Sequence, residues 1–238
     1  MADLGRSEAI YRALRERILN GALAQGERLV VRSLASEFQT SDLPVREALR
    51  RLEGDGLIET VRNRGARVIT LGPEDIPGVY ILRGELEALA TELAGPHLTG
   101  QDFSDLDALM AEMAEAGSSD APGRYAELNH AFHSVIFERC PHPIILQTLN
   151  RVWDGHAAFG LVFSMDSERI ARSRAEHAVI VKHLRSNDWR QAGAAAREHK
   201  HAAARSLLDS VGISIPPRLL PPTDALNEEA DADAVAGR

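Results

Sequence analysis

The stretch LVVRSLASEFQTSDLPVREALRRLEGDGLIETVRNRGARVI, residues 29–69, constrains the fold more than any other part of the chain. Val45, Ala48, Leu49 and Leu52 fall at i, i+3, i+4 and i+7, which places them on one face of a helix. Arg46 and Arg50, one turn apart, share a different face. Another short helical pattern comes before this one. Two short strand patterns, Ile58–Val61 and Ala66–Ile69, come after it as a hairpin with Arg62, Arg64 and Gly65 at the tip. A helix with a packed side and an arginine side, preceded by a short helix, has the logic of helix-turn-helix recognition of DNA. With the hairpin behind it, the region reads as a winged helix-turn-helix.

Charge is divided along the chain. Residues 1–72 hold 12 arginines and 10 acids, a balance of +2, whereas residues 73–238 hold 15 basic residues and 25 acids, a balance of −10. The first part can approach phosphate, and the remainder is repelled by it. This suits a small DNA-binding head on an acidic body. A hydrophobic fraction of 44% is enough for a proper core. No apolar run approaches 18 residues, so no membrane span is expected. The first residues, MADLGRSEAI, lack the layout of a signal peptide. The single cysteine, Cys140, cannot form an internal disulfide, and a reduced cytoplasm is the simplest setting.

Three regions are expected: a winged helix-turn-helix over 1–72, an all-helical body over 73–215, and a disordered acidic tail over 216–238. The first helix of the head is placed from Ser7, as N-cap, to Asn20, with Gly21 as its stop. In the body strand signals vanish, and six helical patterns cover about 74–94, 102–116, 123–139, 143–163, 167–186 and 188–210. In the first of these, Val79, Leu82, Leu86, Leu89 and Leu93 form the expected buried stripe. The predicted fold is therefore mainly α, a winged head followed by an antiparallel helical bundle.

Asn129 and His133 sit four apart on the third body helix and point to one face. His177 shares the stripe of Ile170, Val181 and Leu184 on the fifth, and His199 lies among alanines on the sixth. Three imidazoles and one amide oxygen from three helices can converge on a divalent metal such as zinc, nickel or manganese. The bland alternative is three core histidines, each satisfied by a hydrogen bond. Glu127 with His130 and Glu198 with His201 are Glu-x-x-His pairs of the kind that builds di-iron sites in helical bundles. They keep open a second reading, a helical-bundle metalloenzyme, di-iron or mononuclear with histidine ligands, with an appended nucleic-acid-binding head. No P-loop, GxSxG, HExxH or Rossmann fingerprint occurs.

LASEFQTSDLPVREALRRLEGDGLI resembles the signature of the GntR family of bacterial regulators, in which the stretch reads LA, a short gap, SRTPVREAL, then RLE and GL. The family's arginine after the serine is Asp42 here, and its threonine is Leu43. The resemblance implies DNA contacts from Arg32, Ser41, Asp42, Arg46, Arg50, Arg64 and Gly65, made by a homodimer on a double-stranded palindromic operator. The body resembles the FCD ligand-binding domain of one branch of that family, in its shorter, six-helix subgroup. The matching motifs are NHAFH at 129–133, EHAVIV at 176–181, and Asp188 followed by His199. Carried over, the family's metal ligands become Asn129, His133, His177 and His199. Arg83, in LRGELE, matches the family's R-x-x-L-E and is expected to hold a small carboxylate effector, unless it simply pairs with Glu87 one turn on. The resemblance thus implies a cytoplasmic transcription regulator, a repressor in the favoured reading, controlled by a small organic acid bound near a metal.

Overall fold

The structure, a computed structural model, describes residues 2–61, 65–70, 72, 74–116, 122–158, 167–210 and 212. The expected acidic tail, 216–238, lies outside these residues. The chain divides into two compact units. One comprises Met1–Gly72 with Asn150–Val162, and the other Pro73–Leu149 with Phe163–Arg238.

The first unit begins with α1 (Ala2–Leu19). Ser7 does not cap this helix. Nothing between Ala2 and Ser7 interrupts helical structure, so the helix starts earlier and Ser7 is buried within it. Gly21 ends it in the left-handed region (φ 78°), and Leu23 N–H closes the turn on Arg17 C=O at 2.9 Å. β1 (Arg28–Leu29), α2 (Val31–Glu37) and α3 (Asp42–Gly54) follow, then β2 (Ile58–Val61) and β3 (Gly65–Val68). The three strands form one antiparallel sheet in the order β1-β3-β2, with Leu29 and Thr60 both opposite Ala66. Leu14 and Ile18 of α1, Val45, Ala48 and Leu52 of α3, and Ile58 and Val68 of the hairpin close one core, none more than 1% exposed. The helix stripe inferred from spacing is therefore the packed face. Ser41, in extended conformation, is the N-cap, and Asp42 opens the helix. Pro44 is the third residue of the helix. Proline is tolerated throughout a first turn, whose N–H groups have no intrahelical acceptor, so its presence does not fix the start.

The second unit is helical in all its described elements: α4 (Ile76–Ala94), α5 (Gly100–Ala116), α6 (Pro122–Phe137), α7 (Pro143–Ala158, whose end counts with the first unit), α8 (Ser167–Arg185) and α9 (Trp189–Ser210). α4 and α8 pack on α9, and α5 packs on α6. The connection between α8 and α9 is only 186–188, with Asn187 at φ 60°, so these two helices run antiparallel. α5 opens with a capping box: Thr99 N–H and hydroxyl donate to Asp102 at 2.7 Å, and Asp102 N–H returns to the Thr99 hydroxyl at 3.3 Å.

The expected stripe of α4 is not its buried face. Leu82 and Leu89 are 47% and 44% exposed, and Val79, Leu86 and Leu93 are only half-buried. The face that is buried carries Tyr80, Arg83, Glu87, Ala88, Thr91 and Ala94. Close approach explains this. A Cβ at Gly193 of α9 would lie 2.8 Å from the Ala88 carbonyl oxygen, and one at Gly84 of α4 would lie 2.9 Å from His201 Nε2. Small residues bring the backbones together there, where leucines would hold them apart. No helix among the described residues is long and apolar enough to cross a membrane.

Candidate DNA interface and metal centre

On α3 the two faces separate as spacing requires: Val45, Ala48, Leu49 and Leu52 are buried, while Arg46 and Arg50 are exposed. Arg46 Nη2 lies 3.8 Å from Asp42 Oδ2, one turn earlier. Ser41 is exposed at the cap and Asp42 half-exposed beside it, near the positive end of the helix. Leu43, an apolar side chain, is 58% exposed in the same first turn. Arg32 is exposed as the second residue of α2. The nearby Arg51 and Arg67 are instead paired with Glu8 and Glu59, each at 2.6 Å. Gly65 opens β3 at φ 86°, and a Cβ there would come 3.1 Å from the Leu29 carbonyl oxygen, so this wing position requires glycine. Arg64 lies outside the described residues.

In the second unit, α6, α8 and α9 bring His133, His177 and His199 together, all at most 3% exposed. Each offers a ring nitrogen, and the three lie within 4.8 Å of one another. His199 Nε2 is 3.3 Å from His133 Nε2 and 3.2 Å from His177 Nε2. Asn129 is half-buried one turn before His133. Burial holds all three imidazoles well below the usual histidine pKa; the Lys200 charge reinforces this at His133 and His199, and at His177 it acts after His199. They are therefore neutral near pH 7, the form that binds metal.

The tautomers follow from the neighbours. His199 Nδ1 is 2.6 Å from Glu176 Oε2, so it carries the hydrogen and leaves Nε2 bare. The Lys200 ammonium, which can only donate, is 3.2 Å from His133 Nε2 and leaves that nitrogen as an acceptor. Neither His133 Nε2, which accepts from Lys200, nor His199 Nε2 then carries a hydrogen, although they lie 3.3 Å apart. No hydrogen bond can join them, but a cation between them would be bound by both. Among the described residues, His177 Nδ1 is buried with no hydrogen-bond partner. This donor set fits a divalent metal with imidazole ligands.

A charged shell surrounds the triad. Arg169, 2% exposed, donates from both terminal nitrogens to the two Glu176 oxygens at 2.8 Å. Arg83 Nε and Nη2 donate to Glu87 Oε1 at 3.1 and 2.9 Å, and Lys200 Nζ is 3.2 Å from Glu87 Oε2. Burial pulls the Lys200 ammonium down to about 8, against the opposing pull of Glu87. Arg83 thus makes the ion pair with Glu87 that its spacing allowed. Of this shell, sequence reasoning named only Arg83 and Glu87. Adjacency was the available signal for two others, since Glu176 precedes His177 and Lys200 follows His199.

The two Glu-x-x-His pairs do not form a di-iron site. Glu127 and His130 are exposed. Glu198 pairs with Arg205, and His201, although 4% exposed, packs on Gly84.

The comparisons agree with both halves. Residues 6–68 match the family model of bacterial regulatory proteins of the gntR family, and residues 78–202 match that of the FCD domain. The HTH-type transcriptional regulator McbR of Escherichia coli (strain K12) is 29% identical over 140 residues, 59% of this chain and 63% of that protein. The chain thus matches under two thirds of that relative's length. The HTH-type transcriptional repressor GlaR of the same organism is 24% identical over 197 residues, 79% of this chain and 90% of that protein. The solved structure of E. coli McbR/YncC has the same fold, with a TM-score of 0.71 at 22% identity, over 87% of this chain and 98% of that one. The families and relatives are transcription regulators, not enzymes. With a winged helix-turn-helix presenting arginines and an all-helical second unit, the chain belongs to the gntR family of bacterial DNA-binding transcription regulators that carry an FCD domain.

Proposed function

We propose that this regulator binds a palindromic operator as a homodimer and represses transcription until a small organic acid binds near a divalent metal in its helical unit. His133, His177 and His199 are the metal ligands in this reading, with Asn129 as a weak fourth and Arg83 turned toward the acid. The observation that carries it is the convergence of three buried, neutral imidazoles whose ring nitrogens lie within 4.8 Å of one another. The buried cations Arg83, Arg169 and Lys200 against two carboxylates, Glu87 and Glu176, favour an anionic ligand. Repression is supported by the likeness to GlaR, which is named a repressor. Dimerisation is supported by α4, where Val79, Leu82, Leu86, Leu89 and Leu93 recur at alternating spacings of three and four, an apolar seam that a second helix could cover. The body is the shorter, six-helix form.

The test is metal analysis of the full chain purified without a histidine tag, followed by zinc, nickel or manganese addition. Near one metal per chain is expected, with a higher melting temperature that chelation reverses. His177→Ala should remove that response. A stoichiometry near zero with no thermal shift would leave three structural histidines. Operator gel shifts with a panel of small carboxylates then read the effector, and an operator affinity indifferent to every acid, with metal present, would refute effector control.

A further inference from the structure

The ammonium of Lys200 sits on the same His133 lone pair that a metal would need. Lys200 is adjacent to His199 on α9, yet its stem carries Nζ into the triad, 3.2 Å from His133 Nε2 and 3.2 Å from Glu87 Oε2. The residue is 4% exposed. A lysine whose sole task was to neutralise Glu87 would not need to reach the imidazole, and Arg83 already donates twice to that carboxylate. Both carboxylates beside the triad are engaged by arginine, Glu176 by Arg169 and Glu87 by Arg83. A divalent ion would therefore enter a set of neutral imidazoles with a positive charge already in contact with one of its ligands. At such separations like charges repel strongly in a medium less polar than water.

We propose that Lys200 is a resident cation of the histidine triad, holding the His133 lone pair and competing directly with a divalent metal, so that it sets the metal affinity of the site. This rests on the metal reading above. Metal entry then requires the ammonium to leave His133 and remain with Glu87, and the site loads only above a threshold of free metal.

Calorimetric titration of the chelator-treated full-length chain with zinc alone tests this, comparing wild type with Lys200→Met and Lys200→Gln. Methionine keeps the packing without charge, and glutamine keeps a donor for Glu87 if the methionine variant does not fold. Both should bind zinc about tenfold more tightly, or more, than wild type. Equal or weaker binding by variants whose wild type binds zinc overturns the role of Lys200 and leaves the metal reading standing. No zinc uptake by any of the three chains overturns both. A second measurement needs no variant. Lys182 and Lys200 are the chain's two lysines, and Lys182 is exposed on α8. Labelling lysine with carbon-13 gives one buried and one exposed side-chain signal. Saturating zinc should move the Lys200 signal and leave that of Lys182 unchanged, and an unmoved Lys200 signal in zinc-loaded protein overturns the proposal.

Discussion

Glu176 Oε2 accepts the Nδ1 hydrogen of His199 at 2.6 Å, while Arg169 grips both oxygens of the same carboxylate. The three side chains form a line from buried guanidinium to carboxylate to imidazole. Its effect is to fix which way the His199 ring faces and which nitrogen is bare. Glu176→Ala should therefore weaken zinc binding by about 10- to 100-fold, and Glu176→Gln, which keeps an acceptor, by less. Calorimetric zinc titration gives the order. Equal affinity in all three chains would mean that the ring is held by packing alone.

Gly193→Ala separates helix propensity from packing. Alanine in a helix interior is favoured over glycine by about 1 kcal/mol. Here the added Cβ would stand 2.8 Å from the Ala88 carbonyl oxygen and 3.2 Å from Glu92 Cβ, and the first of these is backbone that cannot swing aside. Forcing α4 and α9 apart costs about 1–3 kcal/mol, enough to reverse the sign. Thermal melts should show Gly193→Ala less stable than wild type. Gly78→Ala, on α4 with nothing within 4 Å of the new Cβ, should be neutral or stabilising.

This contact also shows where sequence reasoning stops. Val45, Ala48, Leu49 and Leu52 betrayed the packed face of α3 because that helix buries large apolar side chains, and periodicity detects those. α4 reverses the pattern. Its leucines are largely outward, and its buried face combines small residues with Arg83 and Glu87. A charged pair in a helix pattern reads as solvent-facing unless its partners on other helices are known, and Lys200 is 113 residues from Glu87. The three histidines were legible because each lies on a periodic stripe. Glu176, Arg169 and Lys200 were not, because the contacts that define them cross between helices.

Acid should weaken the second unit through Asp102. The Arg139 Nε–H, shared between both Asp102 oxygens at 3.0 Å, and a hydrogen bond from Nη2 at 2.7 Å, with the Thr99 donors, hold this carboxyl down to about 2. A carboxyl depressed in the folded state contributes stability that is fully present above its unfolded pKa, near 4, and is lost as pH falls toward the folded value. The melting temperature should fall between about pH 4 and pH 2, and Asp102→Asn should flatten that fall. At pH 7 the same variant should be destabilised by about 1 kcal/mol, through the weakened helix cap. A wild-type and variant pair with parallel profiles would assign the acid transition to other carboxylates.

The first turn of α3 should set the operator sequence. Asp42, Leu43 and Arg46 share its exposed end, and Asp42 stands 3.8 Å from the Arg46 guanidinium. Arginine reads guanine at a cost on removal of about 1–3 kcal/mol, aspartate can accept from cytosine N4, and an apolar side chain can meet a thymine methyl. Arg46→Ala should abolish preference for the operator over random duplex in gel shifts at physiological salt. Asp42→Ala should act differently. It removes a charge that repels phosphate and releases Arg46 from a weak exposed pair, so binding to any duplex should strengthen while sequence preference falls. Selection from a random DNA library should then return a half-site for the wild type that the Asp42→Ala variant recovers with lower information at one base pair. Identical half-sites from both chains would show that Asp42 does not face a base.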